Sequence, residues 1–264
     1  MKQLIKVFFA RVFFYRFNKL LYRLSLCGLG VLNFEDEKVS GESVFLKNYF
    51  KNNPGGNVFD VGANIGNYTR SVFKYNPSAK VVGFEPHPKT FELLNKNIAA
   101  ENFKAVNAAA GEREGLLSLY DYKERDGSSH ASLYKDVIEN IHKGHAISHR
   151  VKVISLGDYI EANNIEKISL LKIDTEGHEL SVLKGMKKQI NGGLVAAIHF
   201  EFNEMNVSSR TFFRDFWNIL PNYDFYRLLP DGMVKIKKYS PVFCEIFAYQ
   251  NIVAILKSDD DSGL

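Results

Sequence analysis

Asp174, Glu176, His178 and Glu179 crowd into the run LLKIDTEGHELSVLKGM, residues 170–186. An apolar segment ending on alternating acids and a histidine reads as a strand handing over to a turn, and it delivers several proton acceptors to one place. Downstream, IHFEFN sets His199 and Glu201 two apart, so on a strand both side chains face the same side of a sheet. Such groups suit removal of a proton from a nucleophile as a new bond forms. His178 titrates near neutral pH when unperturbed, which suits a general base; its plainer reading is a helix-start residue held by a neighbouring carboxylate. Asp174 and Glu201 also carry the hard oxygens that a divalent cation takes. No third dedicated ligand is evident, so a metal is conceivable here but not predicted. Glu179 reads as a first-turn residue favoured by the helix dipole. The residues alone do not choose one base among Asp174, Glu176, His178 and Glu201.

A second stretch, VFDVGANIGNYT at 58–69, ends an apolar run on Asp60 and then spaces Gly62, Asn64 and Gly66 ahead of Asn67 and helix-compatible sequence. Gly62 and Gly66 permit a tight turn and a close approach to a ligand. Glu85 ends the next apolar run, 85 − 62 = 23 positions on, near the ~20-residue spacing of a carboxylate that grips ribose hydroxyls. A dinucleotide needs G-x-G-x-x-G to seat its pyrophosphate. Here the middle position is Asn64, and the carboxylate of Asp60 would repel a phosphate. S-adenosylmethionine carries an ammonium and a sulfonium instead, so an acid beside the turn attracts it. The methyl donor is therefore favoured over a nicotinamide dinucleotide, and over a turn that binds nothing.

These residues need a scaffold that brings strand ends together. Apolar runs at 58–61, 80–84, 103–108, 168–173 and 194–202 read as strands, with helices at 68–75, 90–100 and 180–190 between them. Such alternation predicts an α/β fold with a doubly wound, mostly parallel sheet, whose ligands sit beyond the carboxyl ends of the strands. A helix at 209–220 then gives way to strands at 225–229, 233–236 and 252–256, which suits an antiparallel addition at one edge. Residues 121–150 are polar, with Gly127, Ser128, Ser129 and Ser132, and are expected to form a loop or lid over the site.

With 264 residues and 45% hydrophobic content, the chain can bury one sizeable core. A net charge of +4 is too weak to imply nucleic acid. Most of the excess lies at the start, where Lys2, Lys6, Arg11, Arg16, Lys19 and Arg23 precede the first acid, Glu35. Residues 2–24 mix these cations with aromatic and aliphatic residues. They read either as a membrane-surface helix or as a helix packed on its own domain with snorkelling basic stems, and the many aromatics favour packing. No transmembrane helix or secretory signal is expected, because the cations interrupt the apolar runs. Cys27 and Cys244 have no ligand spacing and fit a reducing cytoplasm. Asp259, Asp260 and Asp261 read as an acidic tail, so the expected layout is an extension at 1–39, a domain at 40–258 and a tail at 259–264.

Taken with DVGANIGNYT, FEPHP and IHFEFN, the KIDTEGHE string strongly resembles the FkbM-type methyltransferase family over roughly residues 40–256. The resemblance implies a class I methyltransferase fold: a Rossmann-like sheet of about seven strands with an antiparallel last strand, preceded here by a helical extension. It implies S-adenosyl-L-methionine as donor, with Asp60, Gly62, Asn64 and Gly66 at its methionine end, Asn67 among its contacts and Glu85 on its ribose. The family's adenine contact follows the third strand, where this chain offers Asn107 or a backbone amide. Ser40–Gly41–Glu42 also fits the family pattern, with Glu42 either reaching the site or starting a surface helix. The stretch YSPVFCEIFAYQN, 239–251, looks like the tail of a subgroup associated with bacterial surface glycans. The expected activity is O-methylation of a carbohydrate or glycolipid hydroxyl, in the cytoplasm or at the inner face of its membrane. A polyketide acceptor, or a binding module of the same fold without turnover, is the alternative.

Overall fold

The structure is a computed structural model and describes residues 2–128 and 130–258; Ser129 and the acidic tail at 259–264 lie outside the described residues. Helices Lys2–Phe9 (α1) and Tyr15–Gly28 (α2), joined by a 3-10 turn, lead to Glu42–Asn52 (α3). Strands and helices then alternate through Asn57–Val61 (β1), Asn67–Tyr75 (α4), Lys80–Phe84 (β2), Pro88–Asn97 (α5) and Phe103–Val106 (β3). Ala109–Ala110 (β4) precedes Gly115–Tyr122 (β5) and Ala146–Ile154 (β6). Next come Leu156–Ala162 (α6), Ile168–Ile173 (β7), Glu179–Lys184 (α7), Lys187–Asn191 (α8) and Val195–Phe202 (β8). Met205–Ser208 (α9), Phe213–Ile219 (α10), Tyr223–Leu229 (β9), Gly232–Ile236 (β10), Pro241–Cys244 (α11) and Gln250–Leu256 (β11) follow.

Eight strands form one sheet in the order β10-β9-β11-β8-β7-β1-β2-β3. The five from β8 to β3 run parallel, whereas β11, β9 and β10 pair antiparallel. This is the class I methyltransferase fold, with one strand more than the seven expected. Strand order reverses at β1, which lies between β2 and β7, so the crevice at its carboxyl end is the natural ligand position.

Both faces of the sheet are buried, which is why its strands read as continuous apolar runs. Phe59, Leu171, Ile198 and Phe200 face one layer, packing with Val182 and Leu183 of α7 and Phe213 and Phe216 of α10; Phe200 stacks on Phe216 at 4.5 Å. On the other face Val58, Val81, Leu170 and Ala197 meet Phe45, Leu46 and Phe50 of α3 and Val72 of α4. Fully burying each such side chain contributes roughly 1.5–3 kcal/mol. Two residues further along the strands, this second face turns polar. Asp60 stands beside Lys172, and Lys172 beside His199.

Three expectations are corrected. The helix predicted over 180–190 breaks into α7 and α8 at Met186, whose φ −130° and ψ 25° leave the helical region; beside it, Gly185 packs so closely that a Cβ there would lie 2.1 Å from the Gly111 carbonyl. The region 121–150 is not irregular throughout. Its ends belong to the β5–β6 hairpin, which with β4 makes a separate three-stranded sheet. The N-terminal aromatics do not pack on the domain: in α2 the one buried residue is Leu26. The chain docks only afterwards, where Val31 is fully buried and Leu32 N–H donates to the Tyr249 carbonyl at 2.8 Å. No helix among the described residues is long and apolar enough to cross a membrane.

Candidate active site

The carboxyl ends of β1, β2 and β7 open into a cleft of about 980 Å³, mouth included. Its first wall is the β1–α4 turn. Gly62 adopts φ 82°, and a Cβ there would stand 1.8 Å from the Asp174 carbonyl oxygen, so glycine is demanded by the neighbouring turn as well as by its own backbone. Asn64, at φ 48°, takes the left-handed conformation that asparagine tolerates. Its N–H donates to Glu85 Oε2 at 2.9 Å, while His87 N–H donates to Glu85 Oε1 at 2.8 Å. Glu85 thus ties β2 to the turn and keeps lone pairs free towards the cleft. Burial pushes its carboxyl up to about 7, against the pull of those two backbone donors.

The second wall is the β7–α7 turn. Buried Glu179 holds it together, its Oε1 accepting from Thr175 N–H at 3.0 Å, Thr175 Oγ1 at 2.9 Å and Gly177 N–H at 3.1 Å. That is a larger role than the dipole preference expected from sequence. Glu176 adopts φ 52°, a strained conformation for its type, of the kind that collects at functional sites. Its Oε1 meets His130 Nδ1 at 3.1 Å, whereas the buried Oε2 has no hydrogen-bond partner. Burial pushes the Glu176 carboxyl up to about 7, the His130 contact opposing, and the same contact raises the His130 imidazole. His178 behaves otherwise. Burial pulls its imidazole down to about 4, and Nδ1 lies 3.3 Å from the Tyr134 hydroxyl. The near-neutral titration expected from sequence is removed by desolvation.

Behind both turns lies a charged floor. Lys172 is 2% exposed, with Nζ 3.5 Å from Glu201 Oε1, 3.6 Å from Glu42 Oε1 and 4.0 Å from Asp174 Oδ2. Burial pulls this ammonium's pKa down, but Glu201, Asp174, Glu42 and Asp60 together more than reverse it and hold it above the usual lysine range. Nζ also lies 5.5 Å from the centre of the Tyr68 ring, close enough for a cation–π contact. His199 Nε2 lies 2.9 Å from Asn251 Oδ1, an acceptor, and Nδ1 lies 2.9 Å from the Tyr68 hydroxyl. A neutral imidazole donating from Nε2 and accepting at Nδ1 satisfies both bonds, and burial holds its pKa well below the usual range. Four acidic side chains surround one ammonium; burial raises the carboxyls of Glu42, Asp60 and, most of all, Glu201, and the Lys172 charge opposes that rise. The floor thus holds more acids than bases, which suits a cationic ligand.

The β5–β6 hairpin covers the cleft through Ser128, Ala131 and Leu133. Buried Asp121 shapes its crown by accepting from Gly127 and Ser128 N–H. A latch joins the hairpin to β2: Asp126 Oδ1 lies 2.9 Å from His87 Nε2 and 2.6 Å from His149 Nε2, with Lys89 on its other oxygen. His87, Asp126 and His149 are the group with metal-ligand proximity among the described residues. The space between Asp174 and Glu201 is taken by the Lys172 ammonium.

The cleft therefore brings together Gly62, Asn64, Asn67, Glu85, Asp174, Glu176 and His178. Four expected residues do not line it. Asp60 is buried behind the turn and accepts from Thr69 Oγ1 at 2.6 Å. Gly66 makes room for Ile98 and Leu94. Asn107 spends its amide on the Glu85 and Pro86 carbonyls, and Glu201 sits in the floor beside Lys172. Sequence reasoning missed Lys172, the His130 partner of Glu176 and the Tyr68–His199–Asn251 chain, and left Glu42 undecided.

A family model described as the methyltransferase FkbM domain matches residues 60–226. Methyltransferase 1 of Beauveria bassiana is 29% identical over 143 residues, covering 49% of this chain and 57% of that protein. The hexuronic acid methyltransferase AglP of Haloferax volcanii is 33% identical over 131 residues, 49% of each chain. The 31-O-demethyl-FK506 methyltransferase FkbM of Streptomyces tacrolimicus is 25% identical over 181 residues, covering 60% and 70%. The first two matches thus span only about half the length of those relatives. Among solved structures, an O-methyltransferase from Bacillus cereus in complex with SAH is similar at TM-score 0.46 and 14% identity, covering 91% of this chain and 90% of that one. The family model takes in both turns of the cleft and more than half of the chain, and by that match this chain belongs to the FkbM methyltransferase family.

Proposed function

We propose that this chain transfers a methyl group from S-adenosyl-L-methionine to a carbohydrate hydroxyl in bacterial surface glycan assembly, with Glu176 receiving the hydroxyl proton. The observation that carries this reading is the Glu176 carboxylate, which lines the cleft with one oxygen fixed by His130 and the other unpartnered. An O–H group entering the cleft supplies that missing partner, and a carboxyl near neutrality is well poised to take its proton. The donor fits the residues present. Glu85 offers a carboxylate to ribose hydroxyls, the acidic floor favours a sulfonium, and Asn64 stands where a pyrophosphate would need glycine. When bound, the donor supplies an electrophilic methyl carbon, and its sulfur keeps the electron pair of the breaking C–S bond. Asp174, half-buried at the mouth, accepts a hydrogen bond from a second hydroxyl and so orients a polyol. Similarity to the hexuronic acid methyltransferase supports a sugar acceptor; similarity to the FK506 enzyme supports a polyketide hydroxyl instead.

Calorimetry with S-adenosylmethionine and with NAD, followed by a labelled-methyl assay on neutral glycosides, uronates and a macrolide, tests the reading. Donor binding with label on a sugar hydroxyl is the expected result. Binding of NAD but not of the methyl donor would sink it, and label on the macrolide alone would replace the acceptor class.

A further inference from the structure

We propose that residues 4–24 are a docking surface for an anionic lipid bilayer. The inference is independent of the methyl-transfer chemistry. The first 34 residues contain six cations and no acid, and most of the large apolar side chains from 4 to 24 face outward. Val12 is 95% exposed, Phe13 88% and Leu4 76%. Val12 and Phe13 lie in the short connection between α1 and α2, where the chain bends sharply enough for Phe8 and Phe14 to meet at 5.2 Å. On α2, Phe17, Leu20, Leu21 and Leu24 share one face by helical spacing, with Arg16 and Arg23 flanking it and Lys19 on the far side.

Apolar residues of this kind are normally covered. The domain does not cover them, since Leu26 is the only buried residue of α2. A second copy of the chain would set six cations against six, with no acid in the segment to pair them. A bilayer of anionic lipid satisfies both halves of the pattern. The exposed aromatic and aliphatic groups enter the boundary between headgroups and acyl chains, and the basic side chains stay among the phosphates. Residues 29–32 fasten the segment to the domain through Leu29, which accepts from Arg227 at 3.5 Å, and Leu32.

The full chain should co-sediment with vesicles of equal parts phosphatidylglycerol and phosphatidylcholine at low ionic strength. It should stay in solution with pure phosphatidylcholine and be released from the mixed vesicles as salt rises. Arg16→Gln with Arg23→Gln should weaken partition by about fivefold for each cation removed. Val12→Ser with Phe13→Ser should weaken it further; both positions are exposed, so neither substitution disturbs a core. A chain that ignores the mixed vesicles at low salt would overturn the proposal. So would partition unchanged by both double variants, or a dimer in sedimentation velocity that Val12→Ser with Phe13→Ser dissolves.

Discussion

The two turns that wall the cleft are built alike and finished differently. Each follows a parallel strand, puts a non-glycine residue in the left-handed region and leads into a helix: Asn64 in one, Glu176 in the other. In the β1–α4 turn the fold answers the polar groups that set its shape. Asn64 Oδ1 takes the Ile65 N–H, Glu85 takes the Asn64 N–H, and Asp60 takes the Thr69 hydroxyl. In the β7–α7 turn, Glu179 closes the backbone just as thoroughly, yet Glu176 keeps an unanswered oxygen and Asp174 stays half-buried at the mouth. The first turn offers shape and backbone; the second offers reactive side chains. Leaving a buried acceptor without a partner costs about 1–3 kcal/mol, a cost that a bound hydroxyl removes.

If that division holds, the largest effect belongs to Gly62, where the turns touch. Gly62→Val places a branched side chain on the Asp174 carbonyl and in a positive-φ conformation that valine strongly resists. We expect loss of cooperative thermal unfolding together with loss of donor binding. A folded Gly62→Val protein that binds the donor would mean that the two walls are not rigidly joined.

Next comes Glu176→Gln, which should keep donor affinity and lose about 10²–10⁴ in kcat, the range for one general base. Two pH profiles should change in opposite senses. The carboxyl is raised to about 7 from an ordinary 4.5, so the folded state holds its proton more tightly than the unfolded chain does. The stability this contributes is complete below about 4.5 and disappears as pH rises through about 7. Activity needs the ionised form and rises over the same interval. Glu176→Gln should flatten both trends, as read by melting temperature and kcat against pH. Retention of the activity limb would transfer the proton to another group.

Both turns were legible in the sequence because each is local: G-x-N-x-G and D-x-E-x-H are set by residues a few positions apart. The floor was not. A lysine within an apolar strand gives no sign that it will be ringed by carboxylates, and Glu42 reaches Lys172 from a helix 172 − 42 = 130 positions away. His130 was hidden because β5 exposes Leu116 and Leu117, which blurs the alternation that would have marked a hairpin over the cleft. The N-terminal aromatics misled in the other direction. Their composition suggested a core, and only the tertiary structure leaves them outside it. His178 had the right residue type and position, but its burial could not be read from its neighbours in sequence.

Glu85→Gln keeps the side chain's volume and one acceptor oxygen, but its NH2 must face one of the two backbone donors, Asn64 or His87 N–H, so a melting curve has to show the turn intact. Donor affinity should fall by about 1.5–3 kcal/mol, the worth of a hydrogen bond to a charged group, while kcat at saturating donor changes little. Calorimetry and saturation kinetics give the two numbers. A fall in kcat with affinity intact would put Glu85 on the reactive side of the comparison and end the division of labour.

The smallest effect is expected at His178, which the sequence alone would rank among the largest. Its imidazole is pulled down to about 4 by burial, so above pH 6 it is already neutral and has little basicity to offer. Nδ1 faces the Tyr134 hydroxyl, and Nε2 lies near Gly111, where a Cβ would come within 3.2 Å of it. Packing between α7 and the β4 loop accounts for such a residue without a proton transfer. His178→Ala should therefore stay within about tenfold of the parent kcat, well short of the 10²–10⁴ of a general base. Its signature should appear in stability. A histidine whose folded pKa is depressed contributes stability that is present above its unfolded value of 6.5 and is lost as pH falls through about 4. The alanine variant should show a flatter melting-temperature profile across that acid window. A hundredfold loss of kcat with donor affinity unchanged would restore His178 as the base and demote Glu176 to a lid contact. The two turns would still divide shape from chemistry, with the chemistry one residue pair further along.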